Sequence, residues 1–270
     1  MAEKSNIDPE NWLEINKKSW NLRTGMHVDS AFYNLKGFKK SKNSLHSLEI
    51  DLLGDIQNES ILHLQCHFGM DSLSLEGMGA KVTGIDFSDE AIDFAQNLAK
   101  EFEMQTEFIC ANVYDFELAK QNSFNTVFSS YGIVGWLPDL KKWAKVIHEN
   151  LAEKGRFILV DFHPALWMFN DDFNEIEYSY FNDEPYIEIT KGSYANSSNN
   201  KKTTSIWWSH SLSEITMAFL SEGFSLSNFK EYNYSPFDCF KHTTRIGKDK
   251  YRIKHLEQKI PMVYAMVFEK

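Results

Sequence analysis

The sequence predicts an α/β protein: a mostly parallel, doubly wound sheet with helices on both faces. Three observations carry this. Between residues 61 and 162, short apolar runs alternate with segments of helical periodicity. The junctions hold helix starts and turn residues in the right places. With 270 residues, 43% of them hydrophobic, there is enough apolar surface for one large domain or two small ones.

Ile61 to Gln65 is an apolar run before a glycine-containing turn, the pattern of a buried strand. Asp71 to Met78 reads as the helix after it, and Lys81 to Asp86 as the second strand. Ser88 is a good N-cap, with Asp89 and Glu90 placed to favour the helix dipole. Ala91, Ile92, Ala95, Leu98, Ala99 and Phe102 then form one apolar face. Thr106 to Cys110 and Phe124 to Ser130 are the third and fourth strands. Asp139 opens a helix carrying Leu140, Trp143, Ala144, Ile147 and Leu151. Gly155 supplies the turn before a fifth strand, Arg156 to Phe162. Alternation of this kind implies parallel pairing under helical cover.

Outside this region the pattern changes. Residues 1–57 read as a helical cap in which Trp12, Leu13, Ile15 and Trp20 need a surface to pack on. From His163 to Trp208 the alternation stops and aromatics crowd in, suggesting an insertion with a few antiparallel strands. Asn196 to Thr204 reads as a polar loop. Ser211 opens a helix through a Ser-Leu-Ser-Glu capping box, carries Leu212, Ile215 and Phe219 inward, and gives out near Gly223. Met262 to Phe268 reads as a closing strand. The division expected is 1–57 and 58–270, with the insertion at 163–208.

Composition narrows the function. A net charge of −10 argues against nucleic acid as the main partner, and Lys248 to Lys259 reads as a solvated surface stretch. Cys66, Cys110 and Cys239 form no disulfide framework. No apolar run has membrane-spanning length, and the N-terminus lacks a signal-type core, so the expectation is a cytoplasmic protein with reduced thiols and no membrane partner. Aromatic residues make up 14%, with 21 Phe, a density that fills a core and can line a pocket for a flat or apolar ligand.

In open α/β sheets ligands bind at the carboxyl ends of the strands. The loop Cys66 to Gly69 is the candidate cradle. Asp86, ending the second strand, suits two vicinal ribose hydroxyls, whether of NAD or another adenosine ligand. His63, Cys66 and His67 raise a metal reading, but side chains diverge at a strand-to-loop junction, and no metal is expected. His163, after the fifth strand, reads either as a general base or as a loop histidine held before Pro164.

Ile61 to Gly69, then Gly84-Ile85-Asp86-Phe87-Ser88, then Ala111-Asn112-Val113-Tyr114-Asp115 resemble the three sequential motifs of class I S-adenosylmethionine-dependent methyltransferases. Val127 to Gly132 with Trp136 to Leu140 resembles that family's fourth-strand region, and Glu149 to Phe157 its next helix and strand. The resemblance covers roughly residues 60–164. It implies a Rossmann-like, mostly parallel seven-stranded sheet ending in an antiparallel hairpin, with S-adenosylmethionine as cofactor and a small-molecule acceptor.

It also implies roles. Asp86 would hold the ribose, with Ser88 in the same motif. Phe87 would pack beside the adenine, and Asn112 and Val113 would meet its edge. Gln65, Cys66, His67 and Gly69 would face the methionine portion. Ser130 and Tyr131 would lie beneath the sulfonium. Trp20, Asn21 and Arg23 resemble a lid over the cofactor carboxylate, although Trp20 and Arg23 equally suit a surface helix face. Phe87 and Val113 read equally as core residues, and Trp136 as a structural anchor.

The first motif departs from the usual pattern. His63 stands for its acid, and Gln65 and His67 for two glycines, leaving Gly69. Gln65 and His67 must then keep negative φ or tolerate strain. A branch of the family carries the same Leu-Gln-Cys-His-Phe-Gly loop, so it is read as a variant.

Methyl transfer from a sulfonium needs mainly orientation and a dry site. Where an acceptor proton must leave, His163, His27 and Tyr131 are the candidates. The aromatic insertion and the N-terminal helices are expected to enclose an apolar acceptor pocket. Two rivals stand beside this reading. A NAD-dependent oxidoreductase also wants Asp86 but lacks its three-glycine fingerprint. A non-catalytic methyltransferase-like binding module is suggested by the depleted loop and opposed by Asp86 and Asn112.

Overall fold

A computed structural model describes residues 8–116, 123–181, 184–196 and 199–270. The first seven residues and part of the expected polar loop, at 197–198, lie outside them.

Three helices precede the sheet: α1 (Trp12–Val28), α2 (Leu35–Ser41) and α3 (Ser47–Leu53). The body then alternates β1 (Ser60–Leu64), α4 (Met70–Gly77), β2 (Lys81–Asp86), α5 (Asp89–Glu101), β3 (Glu107–Cys110), β4 (Phe124–Ser130), α6 (Leu140–Asn150) and β5 (Leu151–Phe162). Capping decides the helix starts. Ser88 Oγ accepts from Ala91 N, and Asp139 from Lys142 N. Beyond β5 come the hairpin β6 (Tyr186–Lys191) and β7 (Lys202–Trp207), then α7 (Leu212–Ser221), β8 (Ser225–Tyr232), the hairpin β9 (Thr243–Gly247) and β10 (Lys250–Ile253), and β11 (Val263–Glu269). The capping box at Ser211 and Glu214 is formed at the start of α7.

Seven strands form one sheet in the order β3-β2-β1-β4-β5-β11-β8. The first five pair in parallel, and β11 runs antiparallel between β5 and β8. The expected sheet is present. β5 starts earlier than expected, at Leu151, and carries Gly155 within the strand. β8 is the partner of β11 in the expected antiparallel hairpin, though its residues were not placed, and β9 and β10 were not foreseen. The stretch 248–259, expected to be solvated, holds β10 and the fully buried Ile253.

One face of the sheet packs on α6 and α7 through Trp143, Phe157, Phe219 and Phe268, with Phe219 and Phe268 stacked at 4.5 Å. On the other face Leu53 and Ile56 of the N-terminal segment pack on Phe128, Val160 and Ala265. The N-terminal helices do find a partner surface, but α1 does so through polar side chains. Its buried residues include Asn16, Ser19, Arg23 and Thr24. Asn16 bonds both polar groups of the Ile206 backbone, at 2.7 and 2.9 Å, so α1 is locked to β7 of the insertion. Among the described residues, no helix is long and apolar enough to cross a membrane.

Candidate active site

The carboxyl ends of β1, β2, β4 and β5 open into a cavity of about 1600 Å³. Its floor begins with the loop after β1. Gln65 (φ 54°), His67 (φ 52°) and Gly69 (φ 82°) all adopt the left-handed conformation. The loop has therefore kept a glycine backbone without the glycines, at about 1–2 kcal/mol for each non-glycine residue. It is held there by Cys66 N to Ile85 O (2.9 Å), Gly69 N to Cys66 O (3.0 Å) and Gln65 Nε2 to Ile133 O (3.3 Å). Gly69 is not replaceable in the same way. A Cβ on it would lie 2.5 Å from Phe108 and 2.8 Å from Ala95.

Asp86 ends β2, is 7% exposed and faces the cavity. Its Oδ2 accepts from His67 N and its Oδ1 from Ser88 N, both at 2.9 Å. These bonds pin the strained loop to the start of α5, and the Phe87 backbone N–H adds to them. Burial pushes its carboxyl up to about 6, against the pull of the backbone N–H groups. Beside it a narrow cleft is walled by Phe87, Asn112, Val113, Trp12 and Trp136, so the motif residues after β2 and β3 come together. Asn112 donates to Asp115 and accepts from Tyr114 N through its side chain, and its carbonyl accepts from Asp115 N.

Arg23 is 9% exposed and lies with its guanidinium 5.4 Å from the ring centres of both Trp20 and Trp136. Its Nη2 donates to Ser205 Oγ at 2.9 Å, while Nε has no partner. All three residues line the cavity, so α1 presents Trp20 and Arg23 inward and not as a surface face. A buried cation lacking a carboxylate partner is a costly arrangement that an incoming anion relieves.

Ser130 and Tyr131 end β4 on the cavity wall, and Tyr131 (φ 48°) is again left-handed. Asp161 fixes this turn by accepting from the N–H groups of Gly132, Ile133 (3.1 Å) and Val134 (3.0 Å). Asp71 accepts from Ser130 Oγ (3.5 Å) and from Ser44 Oγ, and His46 shares the cavity wall. Trp167, Tyr178, Trp207 and Trp208 of the insertion, and Tyr33 of the N-terminal segment, complete the aromatic wall. The Tyr33 and Tyr194 hydroxyls hydrogen-bond to each other, closing the insertion onto that segment.

Three expected residues line neither the cavity nor the cleft. His163 Nδ1 accepts from Ala165 N (3.0 Å), so its Nε2 carries the proton and donates to Glu231 (2.9 Å). Both ring nitrogens are thus engaged in holding the chain before Pro164. His27 is fully buried against His67 (3.3 Å), and desolvation beside Arg23 pulls it down to about 3, which makes it a poor base. Ser88 caps α5 and donates to Asn21 (2.7 Å), tying α1 to α5. Conversely, Asp161, Asp71, His46, Glu49 and the aromatic pair Phe237 and Phe240 went unnoticed in the sequence. All but Glu49 line the cavity. No local pattern marks them, because tertiary packing brings them in. Among the described residues, no group of three His, Cys, Asp or Glu is arranged to hold a metal ion.

Comparison with known proteins bears on this geometry. A family described as a methyltransferase domain matches residues 61–155. A demethylmenaquinone methyltransferase of Lactococcus lactis is 31% identical over 126 residues, covering 45% of this chain and 49% of that protein. A ubiquinone biosynthesis O-methyltransferase of Shewanella pealeana is 26% identical over 113 residues, covering 40% and 44%. The chain thus spans about half the length of these relatives. A solved S-adenosylmethionine-dependent methyltransferase of Methanosarcina mazei superposes with a TM-score of 0.56 at 19% identity, covering 84% of this chain and 99% of that one, a likeness of fold. Residues 61–155 thus match a methyltransferase domain, and the sheet shares its fold with a solved S-adenosylmethionine-dependent methyltransferase.

Proposed function

We propose that the protein transfers the methyl group of S-adenosylmethionine to a small, partly apolar or aromatic acceptor bound in the 1600 Å³ cavity. The observation that carries this is the meeting of Asp86 with both the cavity and the cleft of Phe87, Asn112 and Val113. The residues present fit the cofactor. The Asp86 carboxylate, facing both the cavity and the cleft, suits the ribose hydroxyls. The cleft suits the edge of an adenine. Arg23, unpaired among the described residues and flanked by Trp20, suits the methionine carboxylate, next to the backbone of Gln65, Cys66, His67 and Gly69.

The bound cofactor supplies an electrophilic methyl group on a sulfonium. The chain's own part is to orient and to exclude water. The aromatic wall gives a dry site, and Ser130 and Tyr131 stand where β4 reaches it. An acceptor with a flat ring is in keeping with the names of the two relatives.

An oxidoreductase reading would need a pyrophosphate cradle, and this loop instead fills two glycine positions with Gln65 and His67. Calorimetric titration with S-adenosylmethionine, S-adenosylhomocysteine and NAD separates the readings. Binding of the first two and not the third is expected. Equal binding of NAD, or binding of NAD alone, sinks the proposal.

A further inference from the structure

The hairpin of the insertion carries a carboxylate that the methyl-transfer reading leaves unused. β6 and β7 pair so that Glu188 stands opposite Ser205, and Tyr186 opposite Trp207. Opposed residues share a face of a two-stranded ribbon, as do residues two apart on one strand, so these four side chains lie on one face. All four line the cavity. Glu188 Oε1 accepts from the Tyr178 hydroxyl at 3.3 Å. Its Oε2 has no hydrogen-bond partner among the described residues and is not buried, so it opens on the cavity. Three half-buried rings surround it. Tyr186 and Trp207 tilt together at 4.5 Å, and Tyr178 meets them edge-on at 5.1 and 5.8 Å.

No cation answers this carboxylate. Arg23 reaches the same face, but its Nη2 goes to Ser205 Oγ (2.9 Å), and among the described residues Glu188 makes no ion pair. Asp171 and Asp172, elsewhere on the cavity wall, are paired with Lys241. A carboxylate drawn partly out of water without a cation is costly, and burial accordingly raises the Glu188 carboxyl above its ordinary value.

We infer that Glu188, with the rings of Tyr178, Tyr186 and Trp207, is a subsite for an organic ammonium group. An ammonium donates to Oε2 while the ring faces accept its charge. The proposed methyl transfer supplies the two molecules that can bring such a group, and the inference rests on that reading to this extent. One is the cofactor, through the α-ammonium of its methionine portion. The other is an acceptor with a basic side group. A protonated nitrogen has no lone pair, so on an acceptor the group is a handle and the methyl group goes to another atom. A plain anchor for the Tyr178 hydroxyl is the competing role. It needs one oxygen and no charge, and Gln fills it equally.

Calorimetry at pH 7 in two arms tests this. The first compares S-adenosylhomocysteine with its analogue lacking the α-amino group. The second compares tyramine with 4-propylphenol, its uncharged isostere, on protein saturated with S-adenosylhomocysteine. In one arm the wild type should favour the amine by about tenfold, and E188Q, which keeps the Tyr178 bond, should favour it by less than about threefold. An effect in the first arm assigns the subsite to the cofactor, and in the second to the acceptor. A wild type with no amine preference in either arm overturns the inference without any variant, as does an E188Q protein that keeps the full preference. Failure to bind S-adenosylhomocysteine at all strikes the methyltransferase reading instead.

Discussion

Replacing Glu49 by Gln should stabilise the protein at alkaline pH and leave it unchanged in acid. The buried carboxyl has its pKa raised from 4.5 to about 7. The folded chain therefore holds a proton that the unfolded chain releases. The stability this brings is complete below about 4.5 and is lost as pH rises through 7, where the burial cost of the charge is fully felt. A rise of that size corresponds to a ceiling of about 3 kcal/mol. Gln keeps the bond to His46 N and carries no charge, so E49Q should gain up to that amount at pH 8 and nothing at pH 4. For a chain of this size the gain is a Tm rise of roughly 5–10 °C at pH 8. Asp86, raised to about 6, titrates in both proteins and cancels in the difference. Thermal unfolding of both proteins from pH 4 to 8 reads the effect. A Tm gap that does not change with pH, or a less stable E49Q at pH 8, would refute the reasoning.

Asp86→Ala should weaken S-adenosylhomocysteine binding by about 2–3 kcal/mol in calorimetry while the fold, followed by circular dichroism, is kept. In the wild type that affinity should fall as pH drops through about 6, where the Asp86 carboxylate takes up a proton and loses acceptor strength; a flat profile would leave Asp86 without the ribose role. Gly69→Ala combines a left-handed backbone with a Cβ 2.5 Å from Phe108, and denaturant unfolding should show a loss of about 2–4 kcal/mol. His163→Gln should cost about 1–2 kcal/mol of stability through its bonds to Ala165 N and Glu231, with cofactor affinity unchanged. A His163→Gln protein of normal stability and weakened ligand binding would return His163 to the site.

How far the sequence could be read depended on whether a feature is local. Strands β1, β2 and β4, the Ser88, Asp139 and Ser211 caps, and Asp86 at a strand end were legible because periodicity and capping act within a few residues. Asn112 and Val113 could be placed beside Asp86 because parallel order brings successive strand ends together. The sequence also posed the question of the first loop correctly, as negative φ or strain at Gln65 and His67. It had no means of choosing, since the bonds that enforce positive φ come from Ile85, Asp86 and Ile133 on other elements. The polar buried face of α1 defeated a hydrophobic pattern, because Asn16 and Arg23 bond to β7, some 180 residues on. His163 read equally as a base or as a loop histidine held before Pro164, and it is engaged by Glu231 of β8, a strand whose residues the sequence did not place. The Glu49 carboxyl owes its burial and its neighbour Tyr131 to the packing of α3 on the sheet. Single-residue chemistry at strand ends was determined by the sequence itself. Which acids, histidines and rings share one cavity was decided only by tertiary packing, because burial and partnership are properties of the whole fold.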